Sequence, residues 1–181
     1  MRAKTVYESI SFERGKDPKS VMGIGKRVQI QQWFETWAPN VKYTIDDNLN
    51  IIVGGSLNLR GTQITELPDN LRVEGYLDLK GTQITELPDN LRVGGSLDLA
   101  ETQITKLPDN LSVGGWLDLR GTQITKLPDN LRVGGNLYLQ RAQITKLPDN
   151  LSVEGYLDLR GTQITKLPKL LKVKGKIYKD F

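Results

Sequence analysis

Cysteine and histidine are both missing from the 181 residues. Their absence excludes disulfides, thiol nucleophiles, zinc sites built on Cys or His, and the commonest general base. Carboxylate, lysine, tyrosine and serine chemistry remains, and none of it falls into a recognisable catalytic arrangement, so an enzyme is not expected. No run of eighteen apolar residues occurs, which leaves no candidate for a membrane span. Met1–Arg14 scatters charges where a secretory leader needs an apolar stretch. These absences lead to the expectation of a soluble, cytoplasmic protein with no cofactor and no metal. Hydrophobic residues make up 38% of the chain. That is lean for a globular core but sufficient for a stack of units that each bury one side.

The net charge of +4 is unevenly distributed. Residues 51–164 hold eleven Lys/Arg against fourteen Asp/Glu, whereas residues 165–181 hold six lysines against Asp180. A slightly acidic body argues against a nucleic-acid groove running its whole length.

What the chain does have is self-similarity. Residues 81–100 read GTQITELPDNLRVGGSLDLA, and near-copies begin at Gly61, Glu101, Gly121, Arg141 and Gly161, a period of twenty residues without insertion or deletion. Such a pattern predicts a solenoid. Within a unit, Leu71, Val73, Leu77 and Leu79 alternate as in a strand with one buried face. Ile64 and Leu67 follow a different spacing, and Pro68 disfavours helix at Leu67. Twenty residues cannot hold a strand, a full helix and two connections, so each coil is expected to be one short strand and an irregular return. Gly55, Gly75, Gly95, Gly115, Gly135, Gly155 and Gly175 fill one column, which predicts positive φ or close approach of coils there. The residue before each varies, so only the second site is expected to require glycine. Thr62, Thr82, Thr102, Thr122 and Thr162, with Ala142 as the exception, form a second column whose hydroxyls are expected to bond backbone inside a turn.

Leu57-x-Leu59-x-x-Thr62-x-Ile64-x-x-Leu67-Pro68 resembles the leucine-rich-repeat signature, with Thr in place of the usual Asn or Cys. The twenty-residue length is similar to the shortest bacterial type, found in secreted ubiquitin-ligase effectors. Those effectors carry a separate catalytic domain with a nucleophilic cysteine, which this chain lacks, so the resemblance implies the fold and not the activity. The expected architecture is a leucine-rich-repeat solenoid. Its parallel β-sheet lies on the concave face, its irregular returns on the convex face, and a small helical cap at the N-terminal end.

Residues 1–42 are read as that cap, residues 43–168 as the array, and residues 169–181 as a Lys-rich closing strand. Asp17-Pro18 is a helix start, and Gly23 and Gly25 loosen the chain after it. From Lys26 to Ala38 the spacing of Ile30, Trp33, Phe34 and Trp37 is helical, and this stripe is expected to cover the first coil. The segment Phe12-Glu13-Arg14-Gly15-Lys16-Asp17-Pro18, continuing to Gly25, resembles leaders that precede repeat arrays in uncharacterised proteins of tailed bacteriophages. The resemblance implies a phage origin.

Function is expected where the copies differ. Three outward columns cross the sheet. The first runs Ser56, Tyr76, Ser96, Trp116, Asn136, Tyr156; the second Asn58, Asp78, Asp98, Asp118, Tyr138, Asp158; the third Arg60, Lys80, Ala100, Arg120, Gln140, Arg160. Trp116, Tyr138 and Tyr156 fall on successive coils beside Arg120 and Arg160, the composition of a binding hot spot. The fifth unit is the most divergent and adds Arg141. Asp78, Asp98 and Asp118 form a like-charge ladder that needs neutralising, by Lys80, Arg120 and solvent or by a basic peptide; no loop with several oxygen ligands suggests a metal. The lysines at 106, 126, 146 and 166 read as a solvated face, with phosphate binding as the other reading. The expected partner is a host protein bound on the concave face. A structural role in a phage particle and nucleic-acid binding by the lysine edge are the alternatives.

Overall fold

A computed structural model describes the backbone of residues 18–181, with side chains from residue 25 onward. Asp17 and the first part of the leader-like segment, Phe12 to Lys16, lie outside the described residues.

Helix α1 (Pro18–Trp37) is continuous through Gly23 and Gly25, which do not divide it. Phe34 and Ala38 are buried, with Ile30, Trp33 and Trp37 packed against the same core. Burial of this stripe offsets the roughly 1 kcal/mol that each helical glycine costs relative to alanine. Strand β1 (Tyr43–Ile45) pairs antiparallel with β2 (Ile51–Val53), around a turn in which Asp46 Oδ1 accepts from the amides of Asn48 and Asn50, both at 2.9 Å. The Phe34 ring stacks on Tyr43 with centroids 3.8 Å apart. Arg27 donates to the Ile45 carbonyl at 2.9 Å. Helix and hairpin together therefore close the end of the stack at its first coil.

From β2 onward the chain is a β-solenoid with two parallel sheets. One runs through β2 and β4 (Leu71–Val73) as far as Lys172–Val173 and, with β1 on its edge, has eight strands. The other runs through β3 (Leu57–Asn58) and β5 (Leu77–Asp78) as far as Ile177–Tyr178 and has seven. Register advances by one period, Leu57 pairing with Leu77 and Leu77 with Leu97. Each coil thus contributes two strands where one was expected. The single alternating run of apolar residues is bent at Glu74–Gly75 and its counterparts, so its halves join different sheets. Leu71, Val73, Leu77 and Leu79 still all point inward, joined by Ile64 and Leu67 from the return. Each such side chain contributes about 1.5–3 kcal/mol on burial.

The bend explains the glycine column by close approach, not by positive φ. A Cβ on Gly95 would lie 2.6 Å from the Gly75 carbonyl oxygen. The preceding position is also tight in the middle of the stack, where a Cβ on Gly114 would lie 2.0 Å from the Gly94 oxygen, although Glu74, Glu154 and Lys174 fill it elsewhere with the same backbone bonding. Positive φ belongs instead to the turn after the second strand, at Gly61, Gly81, Gly121 and Gly161, and there Glu101 (φ 61°) and Arg141 (φ 62°) adopt it without being glycine. The threonine column behaves as expected. Thr82, Thr102 and Thr122 are buried, and their hydroxyls donate to the carbonyls of Leu79, Leu99 and Leu119 at 2.7–2.8 Å. Among the described residues no helix is long and apolar enough to cross a membrane.

Candidate functional site

The second sheet carries the three columns expected to face outward, but four aspartates of the middle one are covered by their neighbours, while Asn58 is exposed and Tyr138 partly so. Asp78, Asp98, Asp118 and Asp158 are buried, each 6% exposed or less. Each turns one carboxylate oxygen back on its own chain: Oδ1 accepts from the amides of Lys80 (3.0 Å), Ala100 (2.9 Å), Arg120 (3.0 Å) and Arg160 (3.2 Å). Asn58 does the same for Arg60 at 3.1 Å. The turn after each strand supplies the reason, with Ala142 in the threonine position serving as well through its amide, which donates to the Leu139 carbonyl at 2.9 Å. The Leu59 carbonyl, towards which parallel pairing would aim the Lys80 amide, already accepts from the Thr62 amide and hydroxyl at 3.1 and 2.7 Å. The amide left over takes the carboxylate. The aspartate ladder is thus first a backbone device, each carboxylate holding the amide two residues on.

Arginine neutralises the carboxylate at two coils. Arg120 Nε donates to Asp118 Oδ2 at 2.8 Å, and Arg160 Nε to Asp158 Oδ1 at 3.0 Å. Burial acts to raise the Asp158 pKa, but the bonds and charge of Arg160 outweigh it and hold the carboxyl below its ordinary value. Asp98 has Ala100 where those coils have arginine. Burial, reinforced by the charges of Asp118 and Asp78, holds its carboxyl above the ordinary range. The Tyr76 hydroxyl donates to Asp98 Oδ2 at 3.3 Å, and burial next to these carboxylates pushes the phenol well up.

The aromatic residues form two clusters. Tyr76 reaches across Ser96 to Trp116, with ring centroids 5.4 Å apart, and Trp116 meets Tyr138 edge-on at 6.4 Å. Tyr156, expected to join Trp116 and Tyr138, instead meets Tyr178 at 6.1 Å. The Arg120 guanidinium lies 5.7 Å from the Tyr138 ring and that of Arg160 lies 5.5 Å from the Tyr178 ring. Tyr178 is thus a member of the face that the column reading left out, because it sits in the coil assigned to closure. The two arginines that approach these rings also line an open groove of about 580 Å³. Arg120, Arg141 and Arg160 line it, and the small residues Ala100, Gly121 and Gly161 leave its floor bare. Lys80 stands at one end, 3.1 Å from Glu101. Beneath it Gln140 donates to Asp158 at 2.7 Å, while its Oε1 is buried with no partner. Among the described residues no group of acidic side chains could hold a metal ion.

No protein-family model, curated protein or solved structure matches this chain. Comparison within the chain is more informative. Residues 76–81, 116–121 and 156–161 read YLDLKG, WLDLRG and YLDLRG; residues 56–61, 96–101 and 136–141 read SLNLRG, SLDLAE and NLYLQR. The alternation has a structural cause on one side. Ser56 Oγ, Ser96 Oγ and Asn136 Oδ1 accept from the amides of Tyr76 (3.1 Å), Trp116 (3.1 Å) and Tyr156 (2.8 Å), so a small polar residue beneath seats each aromatic above. The first column therefore has a period of forty residues, two coils, and the third follows it from Lys80 onward, with Arg60 outside the pattern.

The convex columns carry less. Gln123 bonds Gln103 at 2.7 Å, Lys106 lies 3.8 Å from Glu86, and all four of these side chains are exposed. This is the solvated face expected of a stack.

Proposed function

We propose that this chain is a non-catalytic interaction module, a leucine-rich-repeat protein of phage origin that binds a host protein through the face of its second sheet. One observation carries the reading. Tyr76, Trp116 and Tyr138 form a partly exposed aromatic strip with Arg120 held against it, on a face where the coils differ. Buried columns are constrained by packing, whereas these positions are not, and aromatic residues with arginine dominate binding energy at protein interfaces. The buried aspartates belong to the scaffold, so Asp78, Asp98, Asp118 and Asp158 act only by holding Arg120, Arg160 and the turn. The similarity of Phe12–Gly25 to phage leaders supports the phage assignment, and inhibition of a host defence protein is the role that fits it.

Affinity capture from host lysate tests the reading, with wild type compared with a Trp116→Ala, Tyr138→Ala, Tyr156→Ala variant of verified fold. Capture of a protein lost with the variant is the expected result. An unchanged set of captured proteins removes the face from consideration.

A further inference from the structure

The forty-residue alternation sets a length scale for whatever lies on this face. Strands in a sheet are about 4.8 Å apart, so equivalent residues two coils apart repeat at about 9.6 Å. Lys80, Arg120 and Arg160 stand in one column at that interval, each two residues after an aspartate and four after an aromatic. Buried Asp118 and Asp158 fix the two guanidiniums, whose side chains remain 50% and 57% exposed. A guanidinium has five N–H donors, so each keeps some for a ligand in a preset direction. The groove beside them is open along the stack and includes the small residues Ala100, Gly121 and Gly161 in its lining; Arg120 and Arg160 in turn lie against the rings of Tyr138 and Tyr178.

An extended partner can use all three cations only if its anionic groups repeat in step with them. Same-face residues of a β-strand recur at about 6.7 Å and fall about 3 Å out of step at the second contact. Two turns of α-helix advance about 10.8 Å, out of step by about 2.4 Å at the third. A polyproline-type helix repeats every three residues and about 9.3 Å, so three contacts accumulate a mismatch of only about 0.6 Å. Its backbone makes no internal hydrogen bonds, and such segments dock in aromatic-lined grooves.

We propose that the groove takes an extended polyproline-type peptide segment with a carboxylate at every third residue, its acidic edge on Lys80, Arg120 and Arg160 and its apolar edge on the aromatic strip. This rests on the protein-binding reading above and specifies the partner's chemistry.

The test uses fluorescence anisotropy with labelled (Glu-Pro-Pro)5 and a peptide of identical composition with its glutamates in one block. The periodic peptide should bind at least about tenfold more tightly, and Lys80→Gln should weaken it several-fold. Lys80 pairs with the exposed Glu101, so this variant leaves the Arg120–Asp118 and Arg160–Asp158 pairs in place; a thermal melt verifies its fold. Equal binding of the two peptides, no binding of either, insensitivity to Lys80→Gln, or tighter binding of a uronate oligosaccharide overturns the proposal. If the periodic peptide fails while capture of a protein still depends on Trp116, Tyr138 and Tyr156, the acidic repeat falls and the protein-binding face stands. If that dependence is also missing, both fall.

Discussion

Asp98 is the buried carboxylate of its column with alanine two residues on, where Asp118 and Asp158 have arginine. Its raised pKa means that the folded protein holds that proton more tightly than the unfolded chain does. The stabilisation from protonation is complete below the unfolded value and is lost as pH rises through the folded one. At neutral pH Asp98 is therefore destabilising, and Asp98→Asn should increase stability, since Asn58 caps its own turn with the same geometry. Urea unfolding at pH 7 and again near pH 4 checks this: the advantage should vanish in acid, and a less stable variant at pH 7 would contradict it. Asp158 has the opposite sign. Its lowered pKa gives stability present above the unfolded value and lost as pH falls through the folded one, so Asp158→Asn should destabilise at pH 7. Arg141 is a second residue held at a cost. A non-glycine residue in the left-handed region loses about 1–2 kcal/mol, so Arg141→Gly should raise stability by about 1 kcal/mol. The same change should weaken partner binding, which a paired melt and capture experiment would read together.

At the scale of the element, the decisive contact is between bends of adjacent coils. A Cβ on Gly115 would sit 2.9 Å from the Ser96 amide nitrogen and 3.0 Å from the Gly95 carbonyl carbon, whereas one on Gly55 would meet nothing within 4 Å. Gly115→Ala should therefore cost about 1–3 kcal/mol, while Gly55→Ala at the start of the array should be nearly neutral. Equal effects at the two sites would show that coil spacing does not set the requirement. This element also marks what the sequence makes legible. The leucine, valine and isoleucine columns announce the coil, and the threonines announce their turn, because packing and a local hydrogen bond each act through one residue type at one position. The bend dividing the strand is not announced, since Leu71, Val73, Leu77 and Leu79 keep their alternation across it. Nor is the burial of the aspartates, because a charged residue at an alternating position reads as exposed until the backbone amide it satisfies is known.

At the scale of the molecule, α1 and the β1–β2 hairpin cover one end, while Lys172–Val173 and Ile177–Tyr178 pair on one side only. Solenoid stability is a sum over neighbouring coils. Amide exchange should then be slowest around Leu99–Leu139 and fastest at Lys172–Tyr178; uniform protection would indicate a single cooperative unit. The face shows how far reading by columns reaches. Trp116, Tyr138 and Arg120 come together as their positions suggest, but Tyr156 turns to Tyr178, because ring size and the small residue between coils decide which neighbour an aromatic meets.

The two-coil alternation also gives the array a phase. Any lengthening or shortening that keeps aromatic above serine and cation above cation must come in blocks of forty residues. Duplicating residues 81–120 should yield a longer folded stack with one more complete binding subsite. Duplicating only residues 101–120 would set one Trp116 on another without the serine that seats it, and would place its cations out of step beyond the junction. In this protein the unit that folds and the unit that recognises would differ by a factor of two, and natural length variants would be expected to differ by the larger one.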